Sequence, residues 1–167
     1  MARPLKLLLY LVAIVGALGL TVTMIGYLLP QNHVASGEAV LGAAPPTVFA
    51  TLADVSRYPE WRAGVAKVEV VTPAPLTWRE YEGGDVITIE VVEARPPELL
   101  RVRIADPELP FGGTWTYRLA PEGSGTRLII TEHGEVYNPI FRFVSRFVLG
   151  HTAAIDRFMA ALQRRHP

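Results

Sequence analysis

Hydrophobic residues fall along this chain in three regimes, and each predicts a different kind of element. The first is unbroken. No residue from Leu7 to Leu29 carries a charge, and only Tyr10, Thr21, Thr23 and Tyr27 offer polar atoms within the run. As a helix it would reach roughly 35 Å at about 1.5 Å per residue. That crosses a hydrocarbon core of about 30 Å with some tilt. A cleaved signal peptide has a shorter apolar stretch and a small-x-small cleavage site. This run is longer and ends in Tyr27-Leu28-Leu29-Pro30-Gln31. A helix buried in a soluble core would show a polar face, which this one lacks. Residues 1–30 therefore read as an uncleaved anchor spanning the membrane through residues 7–29, and residues 31–167 as the domain it carries.

The second regime is alternation at period two, the mark of half-buried strands. It runs loosely from His33 to Leu41, then stops at Ala43-Ala44-Pro45-Pro46. Pro46 suits the first turn of a helix over Thr47 to Leu52, and Asp54 can cap a second short helix from Val55 to Tyr58. Alternation returns over Val65–Val71, in Leu100/Val102/Ile104 and in Trp115/Tyr117/Leu119, while Trp78–Tyr81, the β-branched run Val86–Val92 and Thr126–Val136 read as further strands. Glu82-Gly83-Gly84-Asp85, Arg95-Pro96-Pro97-Glu98 and Pro121 to Gly125 are turns. Such short connections imply antiparallel pairing.

The third regime has helical spacing. After Asn138-Pro139, a capping residue followed by proline, the residues Ile140, Phe143, Val144, Phe147, His151, Ala154, Ile155, Phe158 and Leu162 fall three or four apart. They form one apolar stripe on a long C-terminal helix. Arg142, Arg146 and Arg157 lie off the stripe, on what reads as a solvated face, with contact to anionic lipid headgroups near the anchor as the alternative. The fold class is α+β: a curved antiparallel sheet of about seven strands, wrapped on that helix because its apolar face needs a cover.

Three segments resemble the SRPBCC superfamily, also described as START-like, polyketide cyclase/dehydrase-like or birch-pollen-allergen-like. Ala44-Pro45-Pro46-Thr47-Val48-Phe49 leading to Asp54-Val55-Ser56-Arg57-Tyr58-Pro59-Glu60-Trp61 looks like the family's opening helix pair. Gly125-Thr126-Arg127-Leu128 is similar to its entry into the last strand, and Asn138-Pro139 to the start of its C-terminal helix. The likeness runs from about residue 33 to the end. It implies a helix-grip fold with a cavity between sheet and helix. Members of the family bind lipids, sterols, polyketides and other apolar molecules, and some are enzymes, so the fold does not settle the function.

Charge and chemistry narrow the choice. Sixteen basic and sixteen acidic residues cancel, and no basic patch of the kind nucleic-acid binders carry is evident. Arg3 and Lys6 precede the span, and no Lys or Arg follows it until Arg57. The positive-inside rule then places the N-terminus in the cytoplasm and the domain outside it. The chain has no cysteine, which removes disulfides and thiolate chemistry. His33, His133, His151 and His166 are scattered without metal-ligand spacing. Gly123-Ser124-Gly125 is a hairpin turn and not a nucleophile elbow, and Gly83-Gly84 and Gly112-Gly113 lack the helix and lysine of a phosphate loop. The expectation is therefore no metal, no cofactor and no catalytic residue.

The expected ligand cavity is lined by Trp61, Val102, Ile104, Trp115, Tyr117, Ile130, Phe143, Phe147 and His151. His151, on the apolar stripe, is either a satisfied core histidine or a polar contact that orients a ligand. Glu132 and His133 are neighbours on the last strand, so one points inward, and the pattern leaves open which. The reading that follows is a membrane-tethered module for an apolar small molecule or lipid. Two alternatives stand beside it. One is an enzyme of the cyclase or dehydratase type, working through an acid/base pair such as His151 with Glu132. The other is an interaction domain with a filled core. Oligomeric state and partner proteins leave no mark in the sequence.

Overall fold

The computed structural model describes residues 2–150 and 152–167. Helix α1 (Ala2–Leu28) carries the charge-free run, and its span from Pro4 to Leu28 is long and apolar enough to cross a membrane. Only three residues separate it from strand β1 (Asn32–Leu41). Helix α2 (Pro45–Ala53) starts at its prolines, after Ala44 in extended conformation. A 3-10 turn over Val55–Arg57 and the short helix α3 (Tyr58–Trp61) follow. The Asp54 side chain makes no backbone cap here; it accepts from the Ser56 hydroxyl at 2.5 Å instead. The Tyr58 hydroxyl donates to the Leu52 carbonyl at 2.7 Å, which ties these helices together.

Six strands come next: β2 (Val65–Pro73), β3 (Leu76–Glu82), β4 (Asp85–Arg95), β5 (Leu99–Ile104), β6 (Phe111–Glu122) and β7 (Gly125–Val136). With β1 they form one antiparallel seven-stranded sheet in the order β1-β7-β6-β5-β4-β3-β2. Register aligns the inward residues across it: Ala35 with Glu132 and Trp115, Gly37 with Ile130 and Tyr117, Ala39 with Leu128 and Leu119. Leu100 and Val102 continue these rows on β5. The other face carries cross-strand ion pairs, including Arg101–Glu93 at 3.1 Å and Arg127–Glu38 at 2.8 Å. Exposed pairs of this kind add little stability each and keep that face wet.

The C-terminal stripe does not form one helix. Asn138 caps helix α4 (Pro139–Val144), its side-chain oxygen accepting from the Ile140 and Phe141 amides at 2.9 and 3.2 Å. A π-turn over Ser145–Leu149 follows, and Gly150 breaks the helix at φ 76°. Helix α5 (Ala153–Arg165) resumes beyond it. The reason is local. Gly150 costs about 1 kcal/mol in a helix relative to alanine, and it takes up the positive φ that other residues avoid. Of the two C-terminal helices, α5 is the one that covers the inner face of the sheet, packing along β1. Gly37 permits the approach: a Cβ there would stand 2.8 Å from Ile155 Cγ2 and 3.2 Å from Met159 Sδ.

Helix α4 packs on α1 instead. A Cβ at Gly26 would lie 1.9 Å from the Pro139 carbonyl oxygen, so the two backbones meet where a side chain is missing. Arg142, expected on a solvated face, is buried in this junction. Its guanidinium donates to the carbonyls of Gly26 (3.1 Å), Leu29 (3.0 Å) and Tyr137 (3.0 Å). Gly26 belongs to the last turn of α1 and Leu29 follows its end, where helical carbonyls lack partners and the macrodipole favours a cation.

Candidate functional site

The inner face of the sheet is aromatic at its centre. Phe158 of α5 is the hub. Its ring meets Tyr117 at 5.5 Å, Trp61 at 5.5 Å, Trp115 at 6.0 Å and Tyr58 at 6.4 Å. Most of these contacts are edge-on, the arrangement aromatic pairs prefer. Alternation on β6 brings Trp115 and Tyr117 to the same side, and α3 contributes Trp61 from the opposite wall. Val102 and Ile130 are buried beside them, and Ile104 is half-buried at the strand end. Trp61, Val102, Ile104, Trp115, Tyr117 and Ile130 thus lie along this interior.

Phe143 and Phe147 are elsewhere. They stack on each other at 4.9 Å in α4 and the π-turn, and Phe147 is 60% exposed. The break at Gly150 turns their part of the stripe away from the sheet. His151 lies outside the described residues.

Among the described residues, charged groups enter this apolar interior in two places. Arg62, just after α3, lies over the Tyr58 ring at 5.1 Å and the Phe158 ring at 5.0 Å. It pairs with Glu80 at 2.7 Å and Glu82 at 3.0 Å. Burial works against the Arg62 charge, but the carboxylates prevail and its pKa is raised. Burial also pushes the Tyr58 and Tyr117 hydroxyls well above their ordinary range, so both stay neutral.

The second place is the end of the sheet next to α1. Glu132 shares its parity with Leu128 and Ile130, and the register sets it between Ala35 and Trp115 on the inner face. His133 is exposed on the other face. Glu132 lies 3.8 Å from His33 Nε2, and the two side chains are 18% and 17% exposed. Room for the imidazole comes from Gly134, where a Cβ would stand 2.2 Å from the ring. Desolvation raises the Glu132 pKa above the usual carboxylate value, and the Trp115 side chain partly offsets it. The sequence kept Glu132 and His133 level because both parities of β7 hold apolar residues. Nothing local marks His33, because its place opposite Gly134 is set by the long-range register of β1 on β7.

Two hollows adjoin this interior. An apolar cavity of 180 Å³ lies between α2 and the strands β3 to β5, lined by Phe49, Leu52, Val55, Trp78 and Leu100. That is enough for a single ring, since dry apolar cavities of about 150 Å³ take benzene in another protein. A wider, open groove of 610 Å³ runs between α2 and the end of α5, past Asp54, Arg57, Arg164 and His166. Among the described residues, no cluster of three or more His, Cys, Asp or Glu could hold a metal ion.

A curved seven-stranded antiparallel sheet holding a C-terminal helix against an aromatic interior is the helix-grip architecture of START-like proteins. The chain belongs to the family described as "Polyketide cyclase / dehydrase and lipid transport", whose profile matches residues 33–166. Solved structures share the fold. A START superfamily protein from Mycobacterium smegmatis superposes with a TM-score of 0.66 at 16% identity, covering 80% of this chain and 97% of that one. A protein from Thermus thermophilus gives 0.66 at 23% identity, over 80% and 96%. Norcoclaurine synthase from Thalictrum flavum, solved in complex with dopamine and hydroxybenzaldehyde, gives 0.63 at 13% identity, over 80% and 86%. No curated protein matches the chain in sequence.

Proposed function

We propose that this protein is a membrane-tethered binding module for an apolar small molecule or lipid, held between the sheet and α5. Helix α1 is its anchor, with the N-terminus cytoplasmic and the domain on the other side. One observation carries the reading: α5 runs beside β1 with Ile155 at Gly37 and His166 at Gly42, so its N-terminal end, where the C-terminal helix is interrupted, points to the sheet end that carries Trp115, Glu132 and His33. The inner face there has aromatic walls, few polar groups and partial access. That is the make-up of a site for an apolar body with one polar end. The same end of the sheet adjoins α1, so a ligand dissolved in the bilayer would reach it without crossing bulk water. Covering about 300 Å² of ligand at about 25 cal/mol per Å² gives a gross gain of about 7 kcal/mol. That gross gain alone corresponds to a Kd of about 10 μM; association costs weaken binding from there, so tighter binding needs a larger buried area or the polar contacts at Glu132 and His33.

The test is native mass spectrometry of the full chain released from its membranes in mild detergent, followed by titration with a fluorescent fatty acid. A co-purified apolar molecule, and saturable binding weakened by Trp115→Ala, are expected. Because that variant removes core volume, its thermal stability is measured alongside. A preparation that carries nothing and shows only unsaturable partition of the probe sinks the reading.

A second reading rests on Glu132. A carboxyl with a raised pKa beside a histidine is a candidate acid/base pair, as a cyclase- or dehydratase-type reaction on an apolar substrate would need. Glu132→Gln separates the two. If it leaves ligand binding intact but abolishes turnover of a bound substrate, the enzyme reading replaces the binding one.

A further inference from the structure

The segment between β7 and α5 leaves its apolar side chains on the outside. Ile140 and Phe141 are about half-exposed, Phe147 is 60% exposed and Val148 69%. No acidic residue occurs from 136 to 155, whereas Arg142 and Arg146 do. A water-facing helix of a soluble domain has the opposite character. The position of this segment is fixed. Arg142 and the Gly26–Pro139 contact hold it against the last turn of α1. Gly26 lies three residues inside Leu29, the end of the charge-free run, or about 5 Å at about 1.5 Å per residue. That run exceeds a hydrocarbon core of about 30 Å by a similar margin, so α4 meets α1 at the boundary between acyl chains and headgroups.

We infer that α4 and the π-turn form a second membrane contact, lying in the interface of the leaflet that holds the C-terminal end of α1, with Ile140, Phe141, Phe147 and Val148 among the acyl chains and Arg146 at the phosphates. This rests on α1 spanning the bilayer. The exposed composition is that of an interfacial segment, apolar side chains with the basic Arg146 and no acidic residue, and such segments sink about 5–10 Å into the boundary. The exposed Tyr27 and Tyr137 lie close to the same junction, as aromatic residues do at membrane surfaces. The contact also fixes the orientation of the domain. The sheet end with Glu132 and His33, from which β7 leads directly into α4, is held towards the lipid.

The chain has no cysteine, so single labels are direct. Val148→Cys, Ile14→Cys and Ser124→Cys, each in the full chain, are labelled with an environment-sensitive fluorophore and reconstituted in phosphatidylcholine/phosphatidylglycerol vesicles. Ile14 reports the span, and Ser124 the hairpin at the opposite end of β7. The inference expects the Val148 label to be quenched several-fold more by shallow lipid-borne nitroxide than by aqueous iodide, with the reverse at Ser124. A Val148 label as open to iodide as the Ser124 label, with Ile14 still in lipid, overturns the inference and leaves the anchor standing. A Val148 label shielded from both quenchers means that protein covers the patch, and also overturns it. An Ile14 label outside the lipid removes the anchor and this contact together.

Discussion

Glu132 and Glu80 are both carboxylates on the inner face of the sheet, and their surroundings set them apart. The Glu132 pKa is raised by desolvation above its ordinary 4.5. Between that value and the raised one, the folded protein keeps a proton that the unfolded chain has released. The Glu132 contribution to stability is therefore fully present below pH 4.5 and is lost as pH rises through the raised value. Glu132→Gln should remove this slope, so that thermal melts of the full chain in detergent show it at least as stable as the parent at neutral pH. An unchanged pH profile would show that Glu132 is not the group responsible. Glu80 instead has Arg62 at 2.7 Å. Glu80→Gln leaves the Arg62 charge with the half-exposed Glu82 alone. Breaking a buried pair costs about 3–5 kcal/mol, and Glu82 should hold the loss near the lower end. Adding Arg62→Met should recover part of it, which a double-mutant cycle on unfolding free energies would read.

At the scale of elements, alternation and turn residues carried most of the sheet. Leu100/Val102/Ile104 and Trp115/Tyr117/Leu119 point inward as period two requires, and Glu82-Gly83-Gly84-Asp85 does turn between β3 and β4. The C-terminal stripe was only half readable. Its spacing from Ile140 to Leu162 is helical throughout, but a stripe states only that a face is apolar and not what covers it. One half faces the sheet and the other faces outward beside α1, divided at Gly150. Nothing in the local pattern marked Arg142 for burial either, since two of its three partner carbonyls are more than a hundred residues away. The junction they form can be opened from the other side. Gly26→Val places a side chain against the Pro139 carbonyl, which sits 1.9 Å from an ideal Cβ. The expected result is separation of α4 from α1, read as faster tryptic cleavage after Arg142 in the full chain. Cleavage no faster than in the parent would mean the junction tolerates the side chain.

For the molecule as a whole, the unbroken apolar run and the domain behind it give the strongest expectation of where the protein resides. Carbonate-washed membranes should retain the full-length chain, and protease added to intact cells or spheroplasts should digest residues 31–167. A soluble form beginning near Ser36 would mark α1 as a cleaved leader, and a domain accessible only after lysis would reverse the topology. The aromatic interior was likewise foreseeable as a set of inward rings. The pairing of Glu132 with His33 was not, because it depends on β1 and β7, almost a hundred residues apart, meeting in one register.

The three-residue link between α1 and β1 sets a limit on reach. Fully extended, it measures about 10 Å at about 3.4 Å per residue. Gln31 is held within it as well, its carbonyl accepting from the Val136 amide at 2.9 Å. A domain on so short a leash cannot ferry cargo to a distant compartment or across a wide gap between two membranes. On the membrane-tethered reading proposed above it would work as a fixed berth at one leaflet, and whatever hands over or collects a ligand would come to it, by lateral diffusion in the same bilayer or by docking from the aqueous side.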